Sequence, residues 1–189
     1  MQINKTTLTV FVVFSIGLLS TSYAGNAGVI SSTESLDLSG NYTVRGKSLH
    51  PLLSSGDSVS IIRSNDTTDL KTDDIIACRF SGSVNPLIKI IKGQPGDHWE
   101  LVKQEDIDAY EIKVNGQVLV TSEGKHYSIP EPRSKMIKLY AENYPVIPED
   151  TYLVLGNRPE GTLDSTRFGL IHGRQIIGRV EALEKIENK

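Results

Sequence analysis

A succession of short β-branched runs, each stopped by Gly, Asp, Asn or Ser, restricts what this chain can fold into. Ser58–Ile62, Ile75–Phe80, Pro86–Ile91, His98–Val102 and Tyr110–Val114 follow one another, and Thr151–Leu155 and Gln175–Leu183 close the series. Runs of this length and composition read as strands. Between two of them Val114-Asn115-Gly116-Gln117-Val118 places Asn-Gly between apolar residues, the sequence signal for a tight antiparallel hairpin, because both residues tolerate positive φ. The stretch from Ser122 to Pro148 carries Pro130, Pro132, Pro145 and Pro148 with little periodicity and reads as an irregular insertion. Outside the N-terminus no helical period of useful length is visible. The expected fold is mainly β, with antiparallel strands in a partly closed barrel or packed sheets.

The N-terminus is different in kind. Leu8 to Ser20 reads LTVFVVFSIGLLS, with Lys5 before it and Ser22 and Ala24 after it. The nearly uncharged stretch from Thr6 to Ala24 is long enough, as a helix, to cross a bilayer core of about 30 Å. It is also built like a secretory signal, with small residues where a processing enzyme cuts. On either reading Lys5 holds the N-terminus in the cytoplasm, since no basic residue follows until Arg45, and the rest of the chain faces the exterior. The expected organisation is a membrane anchor or signal segment over 1–24, a small polar linker over 25–40, and an extracytoplasmic domain over 41–189.

Composition narrows the function classes. In 189 residues, 20 Lys and Arg face 23 Asp and Glu, and the net charge is −3 without a concentrated basic tract. That argues against a nucleic-acid partner, which requires a basic patch to neutralise phosphates. The single cysteine, Cys78, lies in an apolar strand run and reads as a small core side chain. The four histidines, His50, His98, His126 and His172, are scattered and have no zinc-site spacing. Neither a metal nor a cofactor is expected.

Two stretches carry chemistry. In Arg45-Gly46-Lys47-Ser48-Leu49-His50-Pro51 a hydroxyl sits between a glycine and a proline. Gly46 allows a turn and a close approach of substrate, and Pro51 stiffens the exit. The same vocabulary builds ordinary surface turns. In Ile88-Lys89-Ile90-Ile91-Lys92-Gly93-Gln94-Pro95-Gly96-Asp97, Lys89 lies within an apolar strand, sharing a face with Ile91 and opposing Ile88 and Ile90. Pointing inward, its ammonium would be desolvated and its pKa lowered toward that of a general base. Pointing outward, it would protect a sheet edge.

A third stretch runs Leu155-Gly156-Asn157-Arg158-Pro159-Glu160-Gly161-Thr162-Leu163-Asp164-Ser165-Thr166-Arg167-Phe168-Gly169. In order, the three stretches match G-x-S-[ML]-x-P…G-D, K-x-x-x-G-x-P-G-D and G-[D]-N-R…[ST]-x-D-S. Together they resemble the type I signal peptidases, membrane-anchored serine/lysine peptidases, over about Val44 to Val180. The resemblance implies Ser48 as nucleophile and Lys89 as general base. It also implies Thr162 as the hydroxyl that orients the lysine, and the backbone N–H of Ser48, shaped by Gly46, as the oxyanion hole. Leu49 and Ile88 become walls of shallow substrate pockets, and Asp164 a supporting carboxylate. The implied substrates are secreted preproteins with small residues at the first and third positions before the cut. The implied location is the bacterial inner membrane with the catalytic domain on the periplasmic side, or the periplasm itself if the chain is cut near Ala24. His50 falls in a variable position of the motif and is not expected to take part.

Several residues depart from the family pattern. Leu49 stands for Met, Leu52 for Thr, Ile90 for Arg and Thr166 for Arg, and Gly156-Asn157 lacks an intervening Asp. Without that Arg, Asp164 would need Arg167 or Arg158 as its ion-pair partner. These changes resemble a divergent branch such as the peptidases of conjugative transfer, which process a dedicated pilin-like substrate. Two rivals make other demands. A self-cleaving repressor related to the SOS regulator requires a DNA-binding helical domain where this chain has an apolar segment. A non-catalytic exported binding protein of the same fold requires that Ser48 and Lys89 be dispensable.

Overall fold

The computed structural model describes residues 2–4, 41–63, 69–81 and 85–183. Two antiparallel sheets make up the fold. The larger uses β1 (Gln2–Asn4), β2 (Asn41–Arg45), β3 (Ser58–Arg63), β4 (Ile75–Cys78) and β5 (Leu87–Gly93), together with β10 (Thr151–Leu155), β11 (Ile171–His172) and β12 (Ile176–Ala182). Their order is β1-β2-β3-β12-β4-β5-β10-β11, and β1 also meets β5 where Gln2 lies opposite Leu87. That second pairing curls the sheet round on itself. The smaller sheet joins β6 (Trp99–Lys103), β7 (Ala109–Val114), β8 (Gln117–Val118) and β9 (Ser128–Pro130), with β7 paired to each of the others.

The strand runs therefore fold as read. The Asn-Gly hairpin joins β7 to β8, with φ of 50° at Asn115 and 77° at Gly116. Strand β5 departs from simple alternation, since all seven of its residues are buried. Ile88 and Ile90 pack into one apolar cluster with Leu49, Leu53 and Val59, while Leu87 and Ile91 join a second with Ile76, Cys78 and Val154. A strand covered on both faces reads as a continuous apolar run, and Lys89 inside it is wholly buried. Cys78 is a core side chain, its thiol pushed up to about 11 by burial.

The expected irregular insertion over 122–148 is corrected. It contains an α-helix, α1 (Glu131–Asn143). The prolines read as breakers sit where a helix tolerates them: Pro130 caps the start, Pro132 lies in the first turn, and Pro145 follows the end. The buried face is narrow, with only Ser134 and Ile137 fully covered, so the helical period was weak in the sequence. Ile137 packs into a third cluster with Trp99, Ile112, Tyr127 and Ile129. Strand β10 is the seam between cores: Tyr152 and Val154 face the second cluster, Leu153 and Leu155 the third.

Of the expected 1–24 segment, only Gln2–Asn4 is described, and it forms a strand paired with Asn41–Arg45. The apolar stretch Leu8–Ser20 and the expected 25–40 linker lie outside the described residues. Among the described residues no helix is long and apolar enough to cross a membrane.

Candidate active site

Strand β2 delivers the chain into the Ser48 turn, and the loop is pinned at its base. Val44 N–H donates to Asp57 O and Gly56 N–H to Val44 O, at 2.8 and 2.9 Å. The Asp57 carboxylate also accepts from Ser54 N–H at 2.8 Å. Gly46 and Gly56 have φ of 87° and 99°, so the glycines of the box and of the following Gly-Asp are required by backbone conformation. Between them Leu49 and Leu53 anchor the loop in the first core, leaving Ser48 half-buried above it.

Strand β5 supplies the partner. Lys89 is 0% exposed, and its Nζ lies 3.2 Å from Ser48 Oγ and 2.8 Å from Ile88 O. Burial lowers its pKa below the ordinary lysine value of 10.5, an effect opposed in part by the charge of Asp164. The two groups come from positions 41 residues apart. In its neutral form the amine can accept the Ser48 proton while still donating to the Ile88 carbonyl. Lys92, three residues on, is engaged elsewhere. Its Nζ donates to Asp73 Oδ1 at 2.7 Å and to Val120 O at 3.1 Å. The His50 ring faces Ser54 Oγ at 3.2 Å.

Asp164 is the hub of the third stretch. Fully buried, it accepts at Oδ2 from Gly156 N–H, Thr162 N–H and Thr162 Oγ1–H, at 2.9, 3.0 and 2.7 Å. At Oδ1 it accepts from Thr166 N–H and Thr166 Oγ1–H, at 3.1 and 2.6 Å. Neither expected arginine supplies it. Arg158 pairs with Glu160, and Arg167 is exposed. Thr166 stands where the family pattern has arginine, and its hydroxyl and amide take up one carboxylate oxygen. Thr162 gives its own proton to Asp164, and the hydrogen bonds of Lys89 among the described residues go to Ser48 and Ile88, not to Thr162.

Leu49 and Ile88 are both 0% exposed and packed in one cluster, with β1 lying alongside in the space between β2 and β5.

Three further residues shape the site, and the sequence reading gave none of them a role, Gly156 entering only as part of the third motif. Gly156 presses against the Ser48 turn: a Cβ there would lie 2.4 Å from Thr162 Oγ1 and 2.8 Å from Ser48 O. Tyr127, buried and with its phenol pKa pushed up by burial, donates to Gly156 O. Ser122 bonds the Asn157 side chain. The one available signal was Gly156, a glycine ending a β-branched strand, which marks a close backbone approach.

Residues 22–183 match the model of the family described as signal peptidase, peptidase S26. Signal peptidase IB of Staphylococcus aureus strain Mu50 is 29% identical over 151 residues, covering 74% of each chain, and that of strain N315 matches equally. A solved signal peptidase I from Enterococcus faecalis V583 aligns with a TM-score of 0.40 at 24% identity, covering 59% of this chain and 97% of that one. The family match spans most of the sequence, including all three of the stretches singled out above, and by it this chain belongs to the signal peptidase family, peptidase S26, and is a serine peptidase.

Proposed function

We propose that this chain removes signal peptides from exported preproteins by a Ser/Lys mechanism, cutting after small residues at the outer face of the bacterial inner membrane. The observation that carries the reading is the 3.2 Å approach of Lys89 Nζ to Ser48 Oγ, with the lysine wholly buried. Burial keeps the amine available as a base nearer neutral pH than a solvated lysine. Neutral Lys89 takes the proton from Ser48 as Oγ attacks the peptide carbonyl, forming a tetrahedral intermediate whose oxyanion the Ser48 N–H receives. The ammonium then protonates the departing amine, leaving an ester on Ser48. Water, deprotonated by the same amine, attacks the ester and releases the acid, returning the proton to Ser48. Asp164, with Thr162 and Thr166, supports this centre by setting a fixed negative charge near Lys89.

Substrate entry follows from the sheet. The space between β2 and β5 holds an extended segment of this chain, Gln2–Asn4, paired antiparallel with β2 and touching β5 two residues before Lys89. A preprotein segment can add there by main-chain pairing, with Leu49 and Ile88 below it limiting the size of side chains. An anchor over Leu8–Ser20 with a cytoplasmic N-terminus would put a bilayer between Gln2–Asn4 and this space, leaving it free for substrate.

The test is cleavage of a quenched fluorescent peptide with an Ala-x-Ala site by the purified full-length protein in detergent, beside Ser48→Ala and Lys89→Ala. Cleavage by the parent that is lost in both variants is expected. Cleavage retained by either variant removes that residue from the mechanism.

A further inference from the structure

Asn157 immediately follows Gly156 at the end of β10 and is 2% exposed. Its backbone N–H donates to Ser48 O at 2.6 Å. Its side-chain Nδ2 donates to His50 O at 3.0 Å and to Ser122 Oγ at 2.7 Å, while Oδ1 accepts from Ser122 N–H at 2.8 Å. Every hydrogen-bonding group of the carboxamide is engaged on the donor side, and its orientation has one solution. The His50 carbonyl can only accept and the Ser122 N–H can only donate, so nitrogen must face the first and oxygen the second.

One residue thus grips the Ser48 turn at two carbonyls, those of Ser48 and His50, from a point 107 positions away in sequence. The absence of a Cβ on Gly156 lets β10 come close enough for this, since a methyl there would meet Ser48 O at 2.8 Å. With the peptide plane leaving Ser48 immobilised, the direction of Oγ toward Lys89 is left to a single side-chain torsion. Ser122 holds the far side of the carboxamide through two bonds, and its loop is tied to β5 where Lys92 donates to Val120 O.

We propose that Asn157 is a positioning residue for the nucleophile: with Ser122 as its anchor, it fixes the Ser48 turn so that Oγ meets Lys89 Nζ. This rests on, and deepens, the assignment of Ser48 and Lys89 as the reacting pair. Asn157 touches neither reacting atom, so its contribution appears in kcat and leaves KM and the pH dependence in place. A misplacement of about 1 Å at a reacting pair costs on the order of 100-fold in rate.

The experiment uses the full-length protein in detergent with the Ala-x-Ala peptide, assayed well below each variant's own melting midpoint. Asn157→Asp keeps the shape and the acceptor for Ser122 N–H, but turns a bare oxygen toward His50 O. Its kcat is expected to fall by about 100-fold with KM unchanged. Asn157→Ala should fall similarly with the pH midpoint of kcat unmoved, because no charge has changed near Lys89. Ser122→Ala, which removes one of the two anchoring bonds, should fall less. Parental kcat in Asn157→Asp overturns the inference, as does a loss carried wholly by KM or a displaced pH midpoint in Asn157→Ala. A parent that cleaves nothing instead overturns the underlying reading, so the two failures are distinct.

Discussion

The two ends of strand β5 bury a lysine each, three residues apart, and treat them in opposite ways. At Lys92 the structure supplies an anion: Asp73 lies 2.7 Å away, with its carboxylate 70% exposed to water. At Lys89 the hydrogen-bond partners among the described residues are a hydroxyl and a carbonyl, and the exposure is nil. Removing an ammonium from water without an ion partner in contact is unfavourable unless it gives up its proton. The first end is built to keep a charge, the second to discourage one. That difference separates a lysine that ties two segments together from one suited to accept a proton from Ser48.

The largest effect that can break the comparison is at the proposed reacting pair, Ser48 and Lys89. Ser48→Ala is expected to lower kcat/KM by on the order of 10⁶, to the floor of the peptide assay. Lys89→Arg tests the end where charge is discouraged, because arginine stays protonated at any working pH. Its activity is expected to fall by about 10² to 10⁴, the usual span of a lost general base. Substantial turnover by Lys89→Arg would remove the distinction between the two ends.

How far the sequence alone could draw this contrast depended on the kind of signal. The strands were legible because each is a short run with turn residues at both ends, and Asn115-Gly116 fixed the hairpin. Ser48 and Lys89 were legible only as parts of spaced motifs; taken singly, each matched a turn or a sheet edge as well. Helix α1 was not legible, because prolines that cap and follow it look like breakers and its buried face is two residues wide. Nor could spacing show that Thr166 replaces a guanidinium at Asp164, since a hydroxyl and an amide from one residue meet that oxygen only after α2 (Ser165–Phe168) has formed. The Asn157 clamp depends on contacts 35 and 107 positions distant, which no local pattern encodes.

A second test sharpens the contrast through Asp164. Its charge raises the Lys89 pKa that burial has lowered. Asp164→Asn removes the charge, so the Lys89 pKa falls further and the acid limb of kcat/KM moves to lower pH. An upward or absent shift would show that Asp164 does not act on Lys89 through charge. The substitution also turns one carboxylate oxygen into an amino group, so two or three of the five donors lose their acceptor, and a stability loss of about 2–3 kcal/mol is expected, read as a lower melting midpoint.

Stability against pH separates the lysines in another way. The folded pKa of Lys89 lies below the unfolded one, so between them the unfolded chain holds more protons and stability rises with pH. Below the folded value the cost of burying the ammonium is present in full; it is relieved as pH climbs toward 10.5. Lys89→Met has no such cost. It is expected to melt higher than the parent at neutral pH, by about 2–4 °C for a gain of about 1 kcal/mol, with the margin shrinking in alkaline buffer. A margin that grows with pH would reverse the sign of the argument.

The smallest effect belongs to the other end. Lys92→Met releases Asp73, which is already in water, and frees Val120 O from one hydrogen bond. The loss is that of one part-buried bond, about 1 kcal/mol or a melting midpoint lower by about 2–4 °C. No stranded charge remains inside the fold to enlarge it. Turnover should stay at the parental level, because the Ser122 loop is still held by Asn157 through two bonds, and neither reaches Lys92. Thermal melts and peptide cleavage on the same sample decide the matter. A lower midpoint with intact kcat marks Lys92 as a tie between segments. A fall in kcat as large as that of Asn157→Asp would mean that the loop needs both of its holds, and that the two ends of β5 act on Ser48 together.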